Sequence, residues 1–105
     1  MSYRTIFDAK ISFQDTEAVF DFTGQLRPGE TLSWAVVTAV VYSGQDPSSA
    51  PLISGVPRIE GAKVYQVLAG GVEGVVYELG CSGVTSTVRT LTAIGYLAVE
   101  GVLVW

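Results

Sequence analysis

Apolar and polar side chains alternate with a period of two through most of this chain, and polar or glycine-rich breaks recur at roughly the 8–12-residue spacing of β-sandwich turns. From Ile6 to Phe13, Ile6, Ala9, Ile11 and Phe13 stand among Asp8, Lys10 and Ser12. Ala18 to Phe22 sets Phe20 and Phe22 on one face, Val19 and Asp21 on the other. Arg27-Pro28-Gly29-Glu30 then reads as a tight turn, because proline presets one torsion angle and glycine accepts a positive one. In Thr31 to Tyr42 the residues Leu32, Trp34, Val36, Thr38, Val40 and Tyr42 alternate with Ser33, Ala35, Val37, Ala39 and Val41. Both faces are apolar after Trp34, so one is expected to meet the core and the other a neighbouring strand or a partner molecule.

Ser43 to Pro51 is the most polar loop, and short strands are expected near Leu52-Ile53 and from Pro57 to Glu60. Lys63 to Leu68 is a better strand, with Val64, Gln66 and Leu68 on one face. The glycines of Gly70-Gly71-Val72-Glu73-Gly74 make a corner, after which Val75, Tyr77, Leu79 and Cys81 point inward. A tyrosine just after such a corner looks like the tyrosine corner of immunoglobulin-like sandwiches, with Leu79 at the place of the antibody cysteine. In the last strand, Val88 to Val99, Leu91, Ala93, Gly95, Leu97 and Val99 share one face, and Gly95 suggests a bulge or a close backbone approach. The pattern predicts one all-β domain over residues 1–105, an immunoglobulin-like β-sandwich of about seven antiparallel strands without a disulfide. Trp34, Val36, Tyr77, Leu79, Cys81, Leu91 and Leu97 are expected in its core.

Composition narrows the functional classes. Hydrophobic residues make up 49% of the 105 and charged ones 15%, a balance that favours a packed core over disorder. A net charge of −4, with six basic residues scattered singly, offers no clustered positive surface for nucleic acid. One cysteine, Cys81, excludes an internal disulfide. The first residues carry no continuous apolar stretch behind a basic flank, and the Trp34–Tyr42 run is far short of a membrane span. The expectation is a soluble product made in the cytoplasm, with neither membrane nor nucleic acid as partner.

Chemistry is scarce. Histidine is absent, which removes Ser/His/Asp and Cys/His catalysis in their usual forms and most zinc and iron sites. Asp15 with Glu17, or Glu73 with Glu78, are the candidate carboxylate pairs, but they lie in or beside turns and read as surface groups. Gly70-Gly71-x-x-Gly74 lacks the Lys-Ser/Thr of a phosphate loop. Arg89 and Thr85 to Thr87 offer hydrogen bonds to a sugar, with Tyr42, Tyr65 or Tyr96 as a stacking platform; the plainer reading puts these tyrosines on sheet surfaces. No catalytic residue, cofactor or metal site is expected. The candidates for interaction are Leu103, Val104 and Trp105 of a C-terminal tail over residues 101–105, and Asp46 and Pro47 of the polar loop. The tail either extends the last strand into the core or docks on another chain.

Several blocks together resemble a group of small tailed-bacteriophage virion proteins, among them fibre–tail adaptors. They are Thr5 to Ile11, Phe20 to Leu26 before Gly29-Glu30-Thr31-Leu32, Ala35 to Asp46, Ala69 to Cys81, and Leu91 to Val99. The resemblance covers nearly the whole chain, and its motifs are folding motifs. It implies a non-enzymatic structural component of the virion with an immunoglobulin-like fold. Such a component would act at the tail or head–tail junction, linking fibres or neighbouring rings in multiple copies within a symmetric assembly. A capsid decoration protein and a carbohydrate-binding adhesion module are the alternatives.

Overall fold

Strand-forming residues dominate the chain, and the computed structural model, which describes residues 2–6, 10–11, 16–45 and 52–100, resolves them into eight strands and one 3-10 turn, Thr23–Gln25. The strands are β1 (Ser2–Ile6), β2 (Lys10–Ile11), β3 (Thr16–Asp21), β4 (Leu32–Ser43), β5 (Ile53–Glu60), β6 (Lys63–Leu68), β7 (Val76–Thr85) and β8 (Thr90–Glu100). They form two sheets. One has the order β3-β6-β5; the other runs β1-β8-β7-β4, with β2 also on β8. Each sheet is built on three antiparallel strands, and one apolar core draws on both, the arrangement of a β-sandwich.

Strict alternation explains the core. Phe20 and Phe22 from the β3 side, Val64 and Leu68 from β6, Tyr77, Leu79 and Cys81 from β7, and Leu91, Leu97 and Val99 from β8 are all buried. The fully buried Gln66 sits among them because β5 leaves the ladder between Ser54 and Arg58. Its Nε2 donates to the stranded carbonyls of Ser54 (3.0 Å) and Gly55 (3.3 Å).

Two connections match their sequence signals closely. The Glu30 N–H donates to the Arg27 carbonyl at 2.9 Å, closing the Pro28-Gly29 turn with Gly29 at φ +79°. At the glycine corner, the Val72 N–H donates to Tyr77 Oη at 3.0 Å. Gly71 there has φ +95°, and a Cβ on it would stand 3.0 Å from Val99 Cγ2.

Three expectations need correction. The described parts of the first segment do not pair antiparallel: β1 and β2 both run parallel to β8. Of the two readings of Gly95, the bulge is excluded, because the β7–β8 register passes through it without a shift. Trp34 and Val36 are not core residues; they are 54% and 47% exposed. The cause is a bulge: Leu32 pairs with Thr85 and Trp34 with Val84, leaving Ser33 as an extra residue. A single added residue inverts the in–out phase of everything after it. Val37 is therefore buried, flanked by the half-buried Ala35 and Ala39.

Candidate interaction face

The bulge at Ser33 turns the larger apolar side chains of β4 outward, and β7 and β8 continue the surface they begin. Across the sheet the outward positions form rows: Trp34, Val84 and Thr90; Val36, Ser82 and Thr92; Thr38, Gly80 and Ile94; Val40, Glu78 and Tyr96. In these four rows Glu78 is the one charged residue. Val40 is 58% exposed and Tyr42 63%. A second register shift, between Val41 and Ser43, frees Tyr42 to reach across β7. Its ring meets that of Tyr96 edge to face, with centroids 4.7 Å apart.

The opposite sheet shows what a solvated face looks like in the same molecule. Its outward positions carry Glu17, Asp21, Arg58, Glu60 and Lys63 beside the exposed Val19 and Val67. Arg58 lies 4.4 Å over the Tyr65 ring and 3.5 Å from Glu17, and its Nε donates to Glu60. One sheet therefore mixes charges with apolar side chains, while the four rows of the other hold a single charge.

β4 ends its sheet, with β5 of the other sheet close beside it. Among the described residues it pairs with β7 alone, and none of its twelve residues is charged. Sheet edges normally carry lysine, proline or an inward charge to prevent pairing with another chain. Leu32–Ser43 carries none of these, and its edge is blunted by the two bulges and by the nearby β5.

The start of β4 is held by a buried ion pair that spacing in the sequence gave no means of finding. Glu30, its side chain 1% exposed, accepts from Arg89 Nε at 3.0 Å and pairs a second time with Arg89 Nη2. It accepts also from Thr87 Oγ1 and from the Arg27 N–H at 2.9 Å. Arg89 further donates to the Gln25 carbonyl at 3.0 Å. The paired guanidinium, with help from the Arg27 amide and the two threonines, holds the Glu30 carboxyl well below the usual carboxylate range. Glu30 in turn raises the pKa of Arg89. The clamp ties the Arg27–Glu30 turn to the β7–β8 hairpin, as do the Ser86 N–H to Thr31 carbonyl bond (2.7 Å) and the Thr31 N–H to Ser86 Oγ bond (3.1 Å).

The other sequence candidates fall as follows. Tyr65 lies on the charged face, away from the Tyr42–Tyr96 pair, and Arg89 is committed to Glu30. Cys81 is fully buried, and loss of solvent pushes its thiol up to about 12, which keeps it protonated. Glu73 is exposed at the corner and Glu78 half-buried on the outer face. Among the described residues no group of three His, Cys, Asp or Glu side chains is placed to hold a metal ion. Asp15, Asp46, Pro47, Leu103, Val104 and Trp105 lie outside the described residues. Neither the models of known protein families nor the curated proteins contain a match to this chain.

Proposed function

We propose that this chain is a non-catalytic adhesion module, an immunoglobulin-like sandwich that serves as a structural protein of a tailed-bacteriophage virion. It acts as an adaptor at the tail or head–tail junction, linking fibres or neighbouring rings. The observation that carries the reading is the apolar outer face of β4, β7 and β8, with its uncharged edge. A monomeric two-layer domain gains nothing in its own core from Trp34, Val36 and Val40 turned to water.

Strand order supports the immunoglobulin-like form. β3-β6-β5 follows the order of strands B, E and D, and β4-β7-β8 that of C, F and G. The Tyr77 hydroxyl, reached by an N–H five residues upstream, has the form of a tyrosine corner at the start of strand F. β1 departs from the constant-type arrangement by adding to the β8 edge rather than to the β3 sheet. The virion setting rests on the resemblance of blocks such as Phe20 to Leu26 and Ala69 to Cys81 to small phage structural proteins.

Cryo-EM of particles whose genome encodes the chain tests the proposal. Density for a two-layer β domain at the tail or neck, with β4 toward a neighbour, supports it. The same density spread over the capsid shell favours the decoration alternative, and particles without the chain refute the virion role.

A further inference from the structure

We propose that the apolar outer face receives an arginine side chain of a partner protein, its guanidinium paired with Glu78 beside the Tyr42–Tyr96 rings; the inference rests on the adhesion reading and names the chemistry of the partner. Among the described residues, Glu17, Asp21, Glu30 and Glu60 are bonded within the chain, and Glu73 and Glu100 are exposed. Glu78 alone among them is half-buried with neither an ion pair nor a hydrogen bond. It stands between Val40 and Tyr96 in its row. A partner that covers this face takes Glu78 out of water, and a carboxylate buried without a counter-charge is costly. The partner must therefore bring a cation, which the chain's net charge of −4 also attracts.

The rings decide which cation. Tyr96 is directly opposite Glu78, and the Tyr42 ring meets it with centroids 4.7 Å apart and planes at 62°. In an edge-to-face pair one ring keeps both its faces clear of the other. A planar guanidinium stacks on such a face and offers a carboxylate two parallel N–H donors, whereas an ammonium is a point charge. Gly80, the next outward position of β7, contributes no side chain, and Thr38 Oγ1 stands 3.2 Å from where a Cβ would be. The approach to Glu78 from that side is therefore low, with a hydroxyl acceptor at its margin. The opposite sheet already holds this arrangement complete: Arg58 lies 4.4 Å over Tyr65 and pairs with Glu17 and Glu60. On the outer face of β4, β7 and β8 the rings and the carboxylate are present, while Arg58 belongs to the other sheet and Arg89 is committed to Glu30.

The test titrates the full, isotope-labelled chain with N-acetyl-arginine amide and follows the backbone amides by NMR. Saturable shifts should centre on Glu78, Gly80 and Tyr96, with a dissociation constant on the order of millimolar for a ligand of this size. N-acetyl-citrulline amide, similar in shape but uncharged, should shift nothing. Glu78→Gln should weaken binding about tenfold or more, and Tyr42→Ala roughly threefold or more. Thermal unfolding confirms that each variant is folded. Shifts that never saturate, that the citrulline compound reproduces, or that survive Glu78→Gln overturn the site. Equal binding of N-acetyl-lysine amide overturns the choice of arginine. Arg4 on β1 is in register with Ile94, so tighter binding to Arg4→Ala would make the chain its own occupant and overturn the partner. The adhesion reading is judged separately by localisation in particles: an arginine-binding chain absent from virions sinks the virion role alone, and a virion-bound chain that binds no arginine sinks the site alone.

Discussion

Replacing Tyr77 by Phe removes one oxygen atom from the core and leaves the ring in place, so its cost reports what the hydroxyl contributes, the hydrogen bond at the glycine corner included. The Val72 N–H loses its acceptor, now 3.0 Å away, while the ring stays buried beside Leu79. A typical net hydrogen bond contributes about 1 kcal/mol, and a buried amide left unsatisfied costs about 1–3. Val72 is only half-buried and can recover part of its solvation. The expected loss is therefore about 1–2 kcal/mol, or roughly 5–10 °C in Tm for a domain of this size. Urea unfolding followed by Trp fluorescence measures it, with the m-value unchanged because the same surface is exposed. Exchange of the Val72 amide should quicken in the variant. The control is Tyr96→Phe on the outer face, expected within about 0.5 kcal/mol of wild type. If Tyr77→Phe is as stable as Tyr96→Phe, the corner hydrogen bond does not hold β7 to the chain before it.

Other perturbations have equally definite signs. Val88 has φ +63° at an exposed hairpin tip, a strained backbone for a β-branched residue; Val88→Asn should stabilise by about 1 kcal/mol in thermal unfolding. Gly71→Ala combines φ +95° with a Cβ 3.0 Å from Val99, and should lower stability by about 1–3 kcal/mol in the same assay. Glu30 has a folded pKa below its ordinary 4.5, so its contribution is present above that pH and is lost as pH falls below it. Glu30→Gln should accordingly be less stable than wild type at pH 7, with the gap closing on acidification below about 4.5; a gap independent of pH would contradict the clamp.

The parts of the fold legible in the sequence are those where one face is apolar and the other is not. In β7 and β8 every second residue is buried, as the alternation from Val75 to Cys81 and from Leu91 to Val99 predicts. Arg27-Pro28-Gly29-Glu30 declares its turn through the torsion preferences of two residues. β4 is different because both of its faces are apolar, so the pattern has no phase to read. Its bulge at Ser33 then inverted the assignment of Trp34 and Val36. The surplus of apolar residues was visible in the sequence; the face that displays it was not. A further signal was available, the absence of charge at both parities from Leu32 to Ser43. Glu30 and Arg89 meet across 59 positions of chain, and the parallel pairing of β1 with β8 joins opposite ends of it. Contacts of that range follow from topology and leave no local trace.

In the proposed role the exposed side of β4 serves attachment and contributes little to folding. The Val36→Lys/Val40→Lys double variant separates the two, since both residues stand on the outer face, about half exposed. Its copy number in purified particles, measured beside its unfolding free energy, should fall at least tenfold while stability stays within about 1 kcal/mol of wild type. Normal incorporation of a folded double variant would contradict the account, and so would its collapse in stability by several kcal/mol.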